Sequence, residues 1–169
     1  MTTTIEAPVA APVSAPVAAG QPAPEFALAL DDGRTVSLAD LKGKIVVLYF
    51  YPKDDTSGCT SEAKAFSELK AEFEASNAVI IGVSKDSIAS HRKFRAKYDL
   101  TVELGADPEL ETIQKYGVWV EKTLYGRKYM GIERATFLID GEGVVRQAWR
   151  KVKVNGHADA VLKAVKALG

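Results

Sequence analysis

The stretch Ile45-Val46-Val47-Leu48-Tyr49-Phe50-Tyr51-Pro52-Lys53-Asp54-Asp55-Thr56-Ser57-Gly58-Cys59-Thr60-Ser61-Glu62-Ala63 decides how the chain folds. Its first six residues form an unbroken apolar run, β-branched and aromatic. Such a run suits a strand buried on both faces. Tyr51 to Gly58 carries a proline, two adjacent aspartates and a glycine, the composition of a loop. From about Cys59 to Ala75, Ala63, Phe66, Leu69 and Phe73 recur at helical spacing, with Glu68, Lys70, Glu72 and Glu74 between them. That pattern predicts an amphipathic helix. Strand, loop and helix together place Cys59 in a first helical turn. The leading N–H groups of a helix lack partners and carry partial positive charge. A thiolate is stabilised there.

The same reading extends along the chain. Phe26 to Leu30, the turn Asp31-Asp32-Gly33 and Thr35-Val36 predict an N-terminal β-hairpin, followed by a short helical turn over Ser37 to Leu41. Ala78 to Val83 is a second buried strand, and Ile88 to Tyr98 a helix with Ser87 as its N-cap. Leu110 to Tyr116 reads as a shorter helix. Thr136 to Ile139 and Val144 to Trp149 flank Asp140-Gly141-Glu142-Gly143, a hairpin signature, and Ala158 to Leu168 closes the chain as an amphipathic helix. This order predicts an α/β fold: a central mixed β-sheet flanked by helices on both faces. It is compatible with a thioredoxin-like fold.

Residues 1–19 read differently. Ala7-Pro8-Val9, Ala11-Pro12-Val13 and Ala15-Pro16-Val17 form a short repeat, and five of the 7 prolines precede Glu25. Such a segment predicts a disordered tail ahead of one domain over residues 20–169. No Lys or Arg precedes Arg34, so no charged secretory n-region is read here.

Composition excludes several functions. Lys plus Arg and Asp plus Glu are 22 each, so no basic excess points to nucleic acid or an anionic membrane surface. No apolar run approaches the roughly 20 residues of a membrane helix. One cysteine permits no internal disulfide, and with only His91 and His157 beside it no metal-ligand spacing exists. No cofactor or metal is expected. The chain lacks GxGxxG, P-loop and GxSxG signatures.

Pro52, Thr56 and Cys59 form a Pro-x-x-x-Thr-x-x-Cys motif within the quoted stretch. It resembles the active-site segment of peroxiredoxins, most closely the PrxQ or bacterioferritin comigratory protein subfamily. The resemblance runs from about Gly20 onward. It includes Tyr116-Gly117-Val118-Trp119, Gly131 to Asp140 and the stretch from Lys151 to His157. It implies a thioredoxin-like fold and a thiol peroxidase that reduces hydrogen peroxide and organic hydroperoxides. It makes Cys59 the peroxidatic cysteine, Pro52 and Thr56 the loop residues that shield and bond the sulfur and the peroxide, and Arg134 the arginine that stabilises the thiolate. It also implies a cytoplasmic monomer. Many PrxQ members carry a second, resolving cysteine, either five residues after the first or in the next helix. Those places hold Lys64 and Arg95 here. With one cysteine, the sulfenic acid must meet an external thiol: thioredoxin, glutaredoxin or a small thiol. The alternative is a peroxide sensor or thiol relay with low turnover.

A lowered thiol pKa alone does not make a peroxidase. Moving a thiol from about 8.5 to about 6 raises its thiolate fraction at pH 7 about thirtyfold. The accompanying loss of nucleophilicity removes about tenfold. Most of the acceleration must therefore come from groups that stabilise charge on the breaking O–O bond. Remaining residues have plainer readings: Glu62 as a helix cap or a partner of a cation, His157 as a cap or surface residue, His91 and the run Arg92, Lys93, Arg95, Lys97 as exposed, and the two tryptophans as packing.

Overall fold

The apolar run Ile45–Phe50 forms β3, deep inside a sheet, because its alternate side chains bury on opposite faces. Val46, Leu48 and Phe50 enter one core, while Val47, Tyr49 and Tyr51 enter the other. The structure, a computed structural model, describes residues 17–168. The stretch expected to be disordered falls, for residues 1–16, outside the described residues. Val17 is buried against the first core.

The elements follow in the order β1 (Ala27–Leu30), β2 (Thr35–Ser37), a 3-10 turn (Ala39–Leu41), β3, α1 (Ser57–Glu68), α2 (Lys70–Ala75), β4 (Ala78–Ser84), α3 (Ile88–Tyr98) and β5 (Glu103–Ala106). Then come α4 (Glu111–Lys115), β6 (Trp119–Leu124), β7 (Arg127–Ile132), β8 (Ala135–Ile139), β9 (Val145–Trp149) and α5 (His157–Leu168). Seven strands build one sheet in the order β2-β1-β5-β4-β3-β8-β9. β4 runs parallel to β3 and β5, while β8 runs antiparallel to β3. The sheet is thus mixed. Side chains of α1, α2, α3 and α5 cover one face. Ile113 of α4 and the segment before β1 cover the other.

Three strands were not read from sequence. β5 is short, and Glu103 and Gly105 interrupt its apolar pattern. β6 and β7 form a separate hairpin whose residues are mostly exposed, so neither carries a buried alternation. Its turn, Tyr125-Gly126, has positive φ at both residues (52° and 76°), as a two-residue type I′ connection requires.

The helix after the motif also differs. It starts at Ser57, two residues earlier than expected, and divides at Leu69. There the Leu69 N–H turns to the Phe66 carbonyl at 3.2 Å, a tighter i−3 bond. No glycine or proline marks the division. Phe66 and Phe73 stay fully buried on either side, with rings 5.9 Å apart.

Candidate active site

β3 aims the motif and β8 aims its arginine. Phe50 pairs with Ala135 across the β3–β8 register. The loop leaving β3 and the residue entering β8, Arg134, therefore emerge side by side. The backbone around Arg134 is pinned by its neighbour Glu133, which accepts two bonds from Arg150, at 2.7 and 3.0 Å, and one from the Lys151 N–H at 3.0 Å.

Beneath α1, Tyr49 lies on Gly82, its cross-strand partner. A β-carbon at Gly82 would stand 2.6 Å from the Tyr49 ring, so only glycine leaves room for it. The ring stacks on Phe66 with centroids 4.7 Å apart. α1 is thus seated on an aromatic floor, with Cys59, Ala63 and Phe66 facing down.

Thr56 is the N-cap of α1, in extended conformation, and its carbonyl accepts the first helical bond from the Thr60 N–H at 2.8 Å. The expected turn of its hydroxyl toward the sulfur is not what the structure shows. That hydroxyl donates instead to the Lys53 carbonyl at 2.9 Å. It caps no helical N–H. Two consequences follow: the first amides of α1 are left without a side-chain acceptor, and the hydroxyl oxygen keeps lone pairs with which to accept a hydrogen bond from outside.

Cys59 is a free, buried cysteine in that first turn, 1% exposed. Arg134 Nη2 donates to its Sγ at 3.4 Å. The same guanidinium donates through Nη1 to Glu62 Oε1 at 2.6 Å. Glu62 is therefore the cation's partner rather than a helix cap. Burial pushes the Glu62 carboxyl up to about 7, against the pull of Arg134, and its Oε2 has no partner among the described residues. Burial alone would lower the Arg134 pKa, but Glu62 and Cys59 outweigh it and raise it. Gly58 matters for the same contact. A β-carbon there would lie 3.1 Å from Arg134 Nη2.

Sequence reasoning missed the framework behind the loop. Asp54 is buried and accepts from the Tyr51 hydroxyl at 2.6 Å and the Ser90 hydroxyl at 2.8 Å. Its Oδ2 also meets His91 Nδ1 at 2.7 Å, and its own N–H donates to Asp86 at 2.8 Å. His91, expected to be exposed, is fully buried and reaches the Gly105 carbonyl through Nε2 at 3.0 Å. The network ties the motif loop to α3 and β5. The adjacent aspartates were read only as loop composition, and no local pattern marks a histidine 37 residues away as their partner.

His157 is likewise buried, not superficial. Its Nε2 meets the Thr136 hydroxyl at 2.7 Å, and burial together with Arg134 lowers its pKa to about 4. The basic run on α3 is only partly a solvated face. Arg95 forms an ion pair with the buried Asp31 and donates to the Leu100 and Val102 carbonyls at 2.7 and 2.6 Å. Arg92 donates to the Asp31 carbonyl at 2.7 Å, and Lys97 pairs with Asp55. Pro52 stands half-buried between Tyr51 and the motif turn.

The assembly is a sulfur in a helix's first turn, touched by a guanidinium and faced by uncapped amides. Residues 19–148 match the AhpC/TSA family. The chain belongs to that family. It is a peroxiredoxin, a thiol-dependent hydroperoxide reductase, and its relatives are of the Bcp or PrxQ kind. It is 50% identical to Putative peroxiredoxin bcp of Coxiella burnetii over 143 residues, 85% of this chain and 95% of the relative. It is also 50% identical to Peroxiredoxin Bcp of Bacillus subtilis over 147 residues, 87% and 94% of the two chains. Xanthomonas campestris Peroxiredoxin Q superposes with a TM-score of 0.81 at 48% identity, covering 84% of this chain and 90% of that one. The fold is the thioredoxin-like one of these peroxiredoxins. Two further structures of the Xanthomonas protein are single Cys-to-Ser variants at positions 36 apart. At that spacing from Cys59 this peroxiredoxin has Arg95.

Proposed function

We propose that this peroxiredoxin works by a one-cysteine cycle centred on Cys59, reducing hydrogen peroxide and organic hydroperoxides. The observation that carries the reading is the 3.4 Å contact between Arg134 Nη2 and the sulfur of the chain's one cysteine. An alkyl peroxide reduction activity is named for the Xanthomonas campestris bacterioferritin comigratory protein, which supports the organic substrates.

The Cys59 thiolate attacks one peroxide oxygen. An S–O bond forms, the O–O bond breaks, and the departing alkoxide takes a proton to leave as alcohol or water. Cys59 becomes a sulfenic acid. Arg134 and the uncapped amides of α1 hold negative charge as it moves from sulfur to oxygen. Thr56 accepts a hydrogen bond from the peroxide O–H and so orients the O–O bond in line with the sulfur. Pro52 shields the loop from water. An external thiolate then attacks the sulfenic sulfur, a mixed disulfide forms, and hydroxide leaves. A second thiolate releases Cys59. Thioredoxin, glutaredoxin or a small thiol fills this role in a monomeric, cytoplasmic enzyme.

The test is intact mass spectrometry after one equivalent of peroxide and then each thiol. The reading expects one added oxygen on Cys59, then an adduct of one thiol, then the free protein. The Cys59→Ser variant is expected to show none of these and no peroxide consumption above buffer. Consumption equal to wild type in that variant overturns the assignment. Arg134→Ala is expected to slow peroxide attack by about 10² to 10³ at a pH where raising it further no longer speeds the reaction. A wild-type rate there removes Arg134 from the mechanism.

A further inference from the structure

Lys122 is used by neither the core nor the site described above. It stands mid-strand in β6, opposite Tyr129 of β7. Directly paired residues share a face. Val120, Lys122, Leu124, Arg127, Tyr129 and Gly131 therefore lie on one side of the hairpin. That side carries two cations and no carboxylate.

Gly131 sets the course of the lysine stem. A β-carbon at Gly131 would stand 3.2 Å from Lys122 Cδ and 3.4 Å from Cε. The stem thus lies along bare backbone, three residues before Arg134. The half-buried ammonium feels the site electrostatically. Burial and Arg134 hold it below the usual lysine range, while Cys59 and Glu133 pull it back up. Among the described residues no hydrogen bond or ion pair occupies it. Arg134, in contrast, is divided between Glu62 and the sulfur. Lys122 thus brings an unpaired positive charge along β7 toward the strand end that carries Arg134, within electrostatic reach of Cys59.

We propose that Lys122 is a specificity-determining residue of this site, whose free ammonium draws anionic reactants to Cys59, above all small reducing thiols that carry a further negative charge. The inference rests on the one-cysteine reading for the identity of the reductant. The step it serves is the attack of R′S⁻ on Cys59–S–OH, which forms Cys59–S–S–R′ and expels hydroxide. The attacking species is always an anion. A cation within electrostatic reach of the sulfur raises its local concentration, and the gain fades with salt.

Two measurements at pH 8 and low salt test this on the wild type, Lys122→Met, Lys122→Glu and Lys122→Arg. The first is alkylation of reduced Cys59 by anionic iodoacetate and by neutral iodoacetamide. It needs no sulfenic acid and so stands apart from the one-cysteine reading. The iodoacetate-to-iodoacetamide rate ratio is expected to fall about three- to tenfold in Lys122→Met, further in Lys122→Glu, and to be kept in Lys122→Arg. High salt should collapse the difference. The second is the rate at which the peroxide-oxidised protein forms mixed disulfides with 3-mercaptopropionate, 2-mercaptoethanol and 2-aminoethanethiol. The wild type is expected to favour the first over the last, and Lys122→Glu to reverse that order. A purely structural lysine would change all reagents alike. An alkylation ratio that is the same in all four proteins overturns the proposal. A ratio that moves while no thiol forms a mixed disulfide with wild type overturns the one-cysteine reading and, with it, the assignment of a thiol as the favoured anion.

Discussion

Replacing Glu62 by glutamine should stabilise the protein, and only above a definite pH. Glu62 is 1% exposed and one of its oxygens has no partner among the described residues. Its carboxyl titrates at about 7 in the fold against an ordinary 4.5, because burial disfavours the charged form more than Arg134 favours it. Between those two pH values the native state holds a proton that the unfolded chain has released. Stability therefore falls as pH rises through this window. Roughly 2.5 units at about 1.4 kcal/mol each amount to about 3–4 kcal/mol. Glutamine keeps the shape and an oxygen for Arg134 Nη1, but has no proton to lose. Below about pH 5 the two proteins should be equally stable, since protonated Glu62 resembles glutamine. Above pH 7 the variant should be more stable by about 3–4 kcal/mol, or about 6–16 °C in melting temperature for a chain of this size. Thermal melts of both proteins from pH 4.5 to 8.5 measure the gap directly, and other titrating groups cancel in the difference. A gap that stays constant across the range, or opens toward acid, would refute the reasoning. The outcome would also show that the site keeps a destabilising carboxylate for the sake of its arginine.

Gly58→Ala should separate stability from rate. Gly58 sits in the first turn of α1 without positive φ, so alanine is accepted by the backbone and melting temperature should hold or rise. The new methyl, 3.1 Å from Arg134 Nη2, displaces the guanidinium, and peroxide attack followed by stopped flow should slow about tenfold. Asp54→Ala leaves the buried His91 and Tyr51 without their acceptor. It should lower stability by about 3–5 kcal/mol, read as a reduced urea midpoint. His157 binds its proton more weakly in the fold, near pH 4, than in the unfolded chain, so stability drops as pH falls from 6.5 toward 4. His157→Gln should flatten that acid limb in a circular-dichroism titration.

What the sequence revealed and what it hid have a common physical origin. β3, β4 and α5 are legible because each buries a continuous run or stripe, and the burial pattern is written in their own residues. Cys59, Thr56 and Pro52 are legible because a fixed spacing on one loop carries them. Arg134 is visible only through a family resemblance, since its 75-residue separation from Cys59 is closed by the β3–β8 pairing. The hairpin β6–β7 was illegible because its stability comes from backbone pairing and a left-handed turn, not from a buried face. His91 and Arg95 were misread for one reason. Polar residues on a helix look exposed until their partners, Asp54 and Asp31, arrive from distant segments.

Placing a second thiol at position 95 is an uphill step for this fold. A cysteine at that place would do more than add a sulfur. It would strip the cation from the buried Asp31 and the donor from the carbonyls of Leu100 and Val102, all at the end of α3. Through Arg95, α3 is tied to the tip of the β1–β2 hairpin and to the entry of β5. One position thus governs both whether the chain can cross-link itself and how firmly that corner is fastened. Here it serves the fastening.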